Sequence, residues 1–146
     1  MKRLFVDGHV LDRGFEGVGS FIAGLYGALA RQRPDLRIYV GCTDAARTMR
    51  HFAGASNVEP VRYASGHRVA RLAYAMDGAL RRAQADWAHF QYFTPLVKRC
   101  RWIVTIHDVL FNDFPACFPR GYSALRNVLF PLSAHRADLL TTVSAY

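Results

Sequence analysis

Six short runs rich in branched and aromatic residues, LFVD (4–7), RIYVGC (37–42), VEPVRY (58–63), DWAHF (86–90), WIVTIH (102–107) and LLTTVS (139–144), take turns with longer stretches of helical period. The runs read as strands, and several lack strict in–out alternation, as strands covered on both faces do. Between them Val18, Phe21, Ile22, Leu25 and Leu29 recur at helical spacing, and so do Val69, Leu72, Ala73, Met76 and Leu80. A third helix is expected over 43–52, capped by Thr43 or Asp44, and a fourth from about 121 to 136, bent or interrupted at Pro131. This alternation predicts an α/β fold, a three-layer Rossmann-like domain with a mostly parallel sheet and helices on both faces. In such sheets ligands collect outside the carboxyl ends of the strands. Asp7, the 89–92 segment, His107, Asp108 and Ser144 are therefore expected along one edge.

With 146 residues, 51% of them hydrophobic, the chain has enough apolar side chain for one core. Neither a repeat nor a low-complexity segment nor a linker is found. Lys2 and Arg3 precede an apolar run that Asp7 ends at once, which is no signal-peptide core. The longest uncharged stretch, 17–30, is fourteen residues with four glycines, too short to span a bilayer. Three cysteines, Cys42, Cys100 and Cys117, lack the spacing of a disulfide framework or a zinc site, and a reducing cytoplasm is the compartment they fit. The net charge of +8 fits an anionic partner or simply scattered surface arginines. Because the chain stops just after a strand, residues 1–146 are read as one domain of something longer.

Three stretches carry candidate chemistry. EGVGSF (16–21) opens the first helix after the first strand, where Gly17 and Gly19 would let backbone N–H groups approach a phosphate. The dinucleotide fingerprint fails, since Ile22 stands where its third glycine belongs and nine residues separate Asp7 from Gly17. On its own the pair reads first as a turn before a helix. In HFQYFTP (89–95), His89, Gln91 and Tyr92 come to a strand end, an aromatic-and-amide surface of the kind that recognises polyhydroxylated ligands. Taken alone, its aromatics also read as core and His89 as a satisfied buried imidazole. His107 and Asp108 end a strand that is otherwise apolar, and burying either without a partner costs several kcal/mol. They read as a catalytic pair or as a structural pair in which Asp108 caps the next turn. Metal binding is disfavoured because no second ligand lies at the required spacing, and a serine hydrolase because no GxSxG occurs. The stretch GHRVARLAYAMDGALRRAQ (66–84) places Arg68, Arg71, Arg81 and Arg82 outside its apolar stripe, a solvated face or a contact with anionic lipid. The aromatics do not interleave with the basic residues, so nucleic acid is not an expected partner.

In order, EGVGSF, DWAHFQYFTP, IVTIHDVLF and HRADLLTTVSAY resemble the N-terminal half of retaining, GT-B-type glycosyltransferases of the glycosyl transferases group 1 type, over essentially the whole chain. The resemblance implies the acceptor-side domain of a two-domain transferase, with the nucleotide-sugar-binding half not included. It implies transfer, with retention, from a nucleotide-sugar donor to a glycan or lipid-linked acceptor. It also implies no metal or other cofactor; the cysteines point to a cytoplasmic site, and the basic helix to a contact at the inner membrane face or to a solvated surface. His107 and Asp108 are then the catalytic candidates, and Glu16, Gly17, Val18, Gly19, Gln91, Tyr92 and Ser144 the substrate-binding ones. Ser20 follows the glycines where many relatives carry a cation. The rival expectation is a Rossmann-like module that holds a nucleotide or sugar without turnover.

Overall fold

A computed structural model describes residues 1–12 and 17–143. Six strands, β1 (Arg3–Asp7), β2 (Arg37–Cys42), β3 (Val58–Arg62), β4 (Trp87–Gln91), β5 (Arg101–Ile106) and β6 (Leu139–Thr142), form one sheet in the order β3-β2-β1-β4-β5-β6. Every neighbouring pair runs parallel, so the carboxyl ends of all six share one edge. Chain order reverses direction between β1 and β4, and the crevice above that switch point is where sheets of this topology receive ligands.

Side-chain alternation along the strands separates two cores. Leu4 and Val6 of β1, with Ile38 and Val40 of β2, face α1 (Gly17–Gln32) and bury Ile22, Tyr26 and Ala30. Phe5, Ala88, Phe90 and Trp102 face the opposite way and bury Met76, Ala79, Leu80 and Ala83. The two faces confirm a three-layer α/β domain. Asp44 caps α2 (Ala45–Met49) by accepting a hydrogen bond from the Arg47 backbone N–H at 3.0 Å. Thr43 donates instead to Asp12, through its backbone N–H at 2.6 Å and its hydroxyl at 2.7 Å. The glycine in β2 has a steric reason: a methyl on Gly41 would overlap the Tyr63 hydroxyl and the Phe5 ring.

Two helical stripes differ from expectation. On α1 the buried line is Ile22, Tyr26 and Ala30 while Leu25 is exposed, because Tyr26 turns inward to a buried polar partner on β4. The second helix runs unbroken as α3 (Arg68–Ala70), a π-turn (Arg71–Ala75) and α4 (Met76–Ala83). The extra residue of a π-turn rotates what precedes it by about 100°, one residue's share of a 3.6-residue turn. Val69 is therefore exposed and Arg71 buried, the reverse of the sequence reading. After α5 (Leu110–Asp113), α6 (Arg120–Arg136) continues through Pro131 without interruption. No helix among the described residues is long and apolar enough to cross a membrane.

Candidate functional site

β1 delivers Asp7 to the carboxyl edge in a fully buried position. Its Oδ1 accepts from the Tyr63 hydroxyl at 2.7 Å and meets His9 Nδ1 at 3.0 Å, while Oδ2 accepts from Arg71 Nη1 at 2.5 Å. Burial alone would raise this carboxyl, but the His9 ring and the Arg71 guanidinium outweigh it and hold Asp7 well below the usual carboxylate range. Desolvation and the neighbouring Asp7 charge push the Tyr63 phenol well up. The π-turn brings Arg71 to Asp7. Arg71 Nη2 also lies 3.3 Å from His9 Nε2, which ties the short turn His9–Asp12 to the helix.

β4 and β5 deliver a second, mostly neutral cluster. His89 is a satisfied core imidazole, with Nδ1 2.5 Å from the Tyr26 hydroxyl and Nε2 2.6 Å from Thr105 Oγ1. Desolvation, with His107 nearby, lowers its pKa to about 4, so the ring stays neutral. Gln91 is buried too, and its Oε1 lies 2.6 Å from His107 Nε2, the ring nitrogen that then carries the proton. Burial lowers the His107 pKa despite the adjacent Asp108, which keeps this half-buried ring neutral at pH 7. Its Nδ1 is left as an acceptor. The Phe21 ring stands edge-on to it at 5.0 Å.

Tyr92 is held in the left-handed region, at φ 64°, a conformation that costs a non-glycine residue about 1–2 kcal/mol. Strain of this kind persists where surroundings over-determine it, and it concentrates at ligand sites. Here the Tyr92 ring stacks on Phe130 with centroids 5.0 Å apart, and its hydroxyl donates to Asp108 Oδ2 at 2.7 Å. Burial and that carboxylate raise the phenol pKa. Asp108 is exposed, and its Oδ1 also accepts a 3.4 Å bond from Leu110 N at the start of α5. It fixes Tyr92 and the turn, the structural half of the sequence reading.

A cleft of about 210 Å³ opens between the ends of β1 and β4, at the switch point. Its walls include His9, Val18, Arg68, Arg71, Gln91 and Tyr92. Of the expected substrate-binding residues, Val18, Gln91 and Tyr92 line it, and His107 is joined to it through Gln91. Gly17 is exposed at the start of α1, and Gly19 is buried with only ordinary contact distances to Leu11 and Val10, so neither is a steric necessity. Glu16 and Ser144 lie outside the described residues. Among the described residues, no group of three or more His, Cys, Asp or Glu side chains is placed to hold a metal ion.

The sequence reading had Asp7 on this edge but not its partners His9, Tyr63 and Arg71. A lone aspartate closing a buried strand was the available signal. The four arginines expected on one solvent face are divided: Arg71 is buried on Asp7, Arg81 pairs with Asp77 at 3.1 Å, Arg82 bonds the Arg62 carbonyl, and Arg68 lies over the Phe93 ring. Comparison of the chain with protein-family models, curated proteins and solved structures finds no match.

Proposed function

We propose that this chain is the acceptor-side domain of a retaining, GT-B-type glycosyltransferase that moves a sugar from a nucleotide-activated donor to a glycan or lipid-linked acceptor in the cytoplasm. One observation carries the reading. Val18, Gln91 and Tyr92, from two separate sequence motifs, line a single cleft at the switch point of a parallel sheet, and His107 from a third motif is hydrogen-bonded to Gln91. As a retained sugar departs from its leaving diphosphate, positive charge develops on the ring, and a neutral polar group tolerates that charge where a cation would oppose it. His107 is neutral, and its Nε2–H is committed to Gln91. Nδ1 can then accept a hydrogen bond from a sugar hydroxyl and fix the ring's orientation. Asp108 acts one step away by positioning Tyr92.

The test is sugar transfer by the complete gene product, followed as release of nucleoside diphosphate across a panel of nucleotide sugars and acceptors. His107→Ala should lower turnover on the order of 10²-fold, as for loss of one preorganised polar contact, with the melting temperature retained. Residues 1–146 alone should turn over nothing, because catalysis needs both walls of the cleft in one geometry. Unchanged turnover in a folded His107→Ala protein overturns the role of His107. Binding of a nucleotide sugar without transfer by the complete product favours the non-catalytic module instead.

A further inference from the structure

Among the described residues, six cations pair with carboxylates: Arg33 with Asp35, Arg37 with Glu59, Arg71 with Asp7, Arg81 and Arg99 with Asp77, and Lys98 with Asp138. Two that line the cleft do not. Arg68, at the start of α3, and Arg126, in the middle of α6, have no hydrogen-bonded carboxylate among the described residues. Yet both converge on one ring, their guanidinium carbons 4.8 Å and 5.7 Å from the centroid of Phe93. Arg126 is further held 3.4 Å over Tyr122. Stacking on ring faces uses the guanidinium plane and leaves its edge N–H donors free. Burial is the largest cause of a lowered Arg126 pKa, and the Arg68 charge adds to it. Asp108 acts on Arg126 from outside the cleft while bonded to the Tyr92 hydroxyl, and Asp7 is neutralised by Arg71.

A second, independent feature lies in the same cleft. Gln91 is 3% exposed, and its Nε2 has no hydrogen-bond partner. A buried amide donor left unpaired in a native fold calls for an acceptor. The cleft, of about 210 Å³ and open to solvent, has room for a group the size of a monosaccharide.

We propose that this cleft recognises a phosphorylated sugar or polyol, with Arg68 and Arg126 taking the phosphate and Gln91 Nε2 donating to a ring oxygen or hydroxyl. The assignment rests on the sugar-transfer reading of the site and deepens it by naming a phosphorylated sugar or polyol as the group that the glycan or lipid-linked acceptor presents to this cleft. Paired guanidinium forks match the oxygens of a phosphate better than any neutral hydroxyl does.

Calorimetric titration of the chain with glucose 6-phosphate, inositol 1-phosphate, glucose and inorganic phosphate decides it. A phosphorylated probe should bind saturably and more tightly than inorganic phosphate, and glucose should not bind. Arg68→Gln and Arg126→Gln should each weaken binding about tenfold or more, the size of one lost charge-assisted hydrogen bond, with unchanged thermal melting. Arg82→Gln, remote from the cleft, should bind as wild type does. No saturable binding of any phosphate probe overturns the proposal, as does equal binding by all three variants. The two readings fail separately. A complete gene product that transfers no sugar, while this cleft still selects sugar phosphates, sinks the enzyme and spares the subsite. Transfer indifferent to both arginine substitutions does the opposite.

Discussion

Acidification from pH 7 to pH 4 should destabilise this domain through one buried ring, His89. The imidazole lies between α1 and the sheet, 2% exposed, and burial lowers its pKa from 6.5 to about 4. In the unfolded chain the same ring titrates near 6.5. Between those values the unfolded state binds a proton that the folded state refuses, so stability is fully present above about 6.5 and lost as pH falls toward 4. The gap, at about 1.4 kcal/mol per tenfold in proton affinity, corresponds to about 3 kcal/mol. Urea unfolding of wild type and His89→Asn at a series of pH values isolates this contribution, because every other titrating group is common to both proteins. Wild type is the more stable at pH 7, since the amide cannot refill the space between Tyr26 and Thr105. That advantage should shrink by about 3 kcal/mol by pH 4. Curves that fall in parallel would show that His89 is not held neutral by burial, and the account of the β4 core would be wrong.

Other outcomes follow from the edge network and the sheet. Arg71→Met removes the partner of a buried carboxylate and should cost about 3–5 kcal/mol in denaturant unfolding, with Asp7→Asn in the same chain recovering part of the loss. Gly41→Ala forces a methyl against Tyr63 and Phe5 and should cost about 1–3 kcal/mol by the same assay. Asp108→Asn should move the Tyr92 phenol down toward, but not to, its ordinary pKa in an ultraviolet titration, because burial is the larger cause of its elevation.

The strands were legible because parallel strands covered on both faces announce themselves as short apolar runs, and all six lie within a residue or two of their expected bounds. Helix phase was less so. Nothing in RLAYA marks a π-turn, and without it Arg71 projects to solvent instead of onto Asp7, the contact that ties this helix to β1. Gln91, Tyr92 and His107 could be placed at one edge from strand ends alone, whereas the bond that joins Gln91 to His107 depends on the β4–β5 register. Arg126 was beyond reach, since its relation to Arg68 exists only once α3 and α6 pack beside the same Phe93 ring. Side chains on distant elements become neighbours through packing, which local periodicity does not encode.

Whether the carboxyl ends of β1, β4 and β5 form the ligand site can be read from NMR signals of Gln91 and His107 during titration with a sugar phosphate or a nucleotide sugar. The Gln91 side-chain amide and the His107 ring should shift saturably with ligand, while backbone signals at the opposite edge, at Arg37 and Arg101, stay in place. Shifts confined to that opposite edge, or an unmoved Gln91 amide in the presence of saturating ligand, would contradict the site.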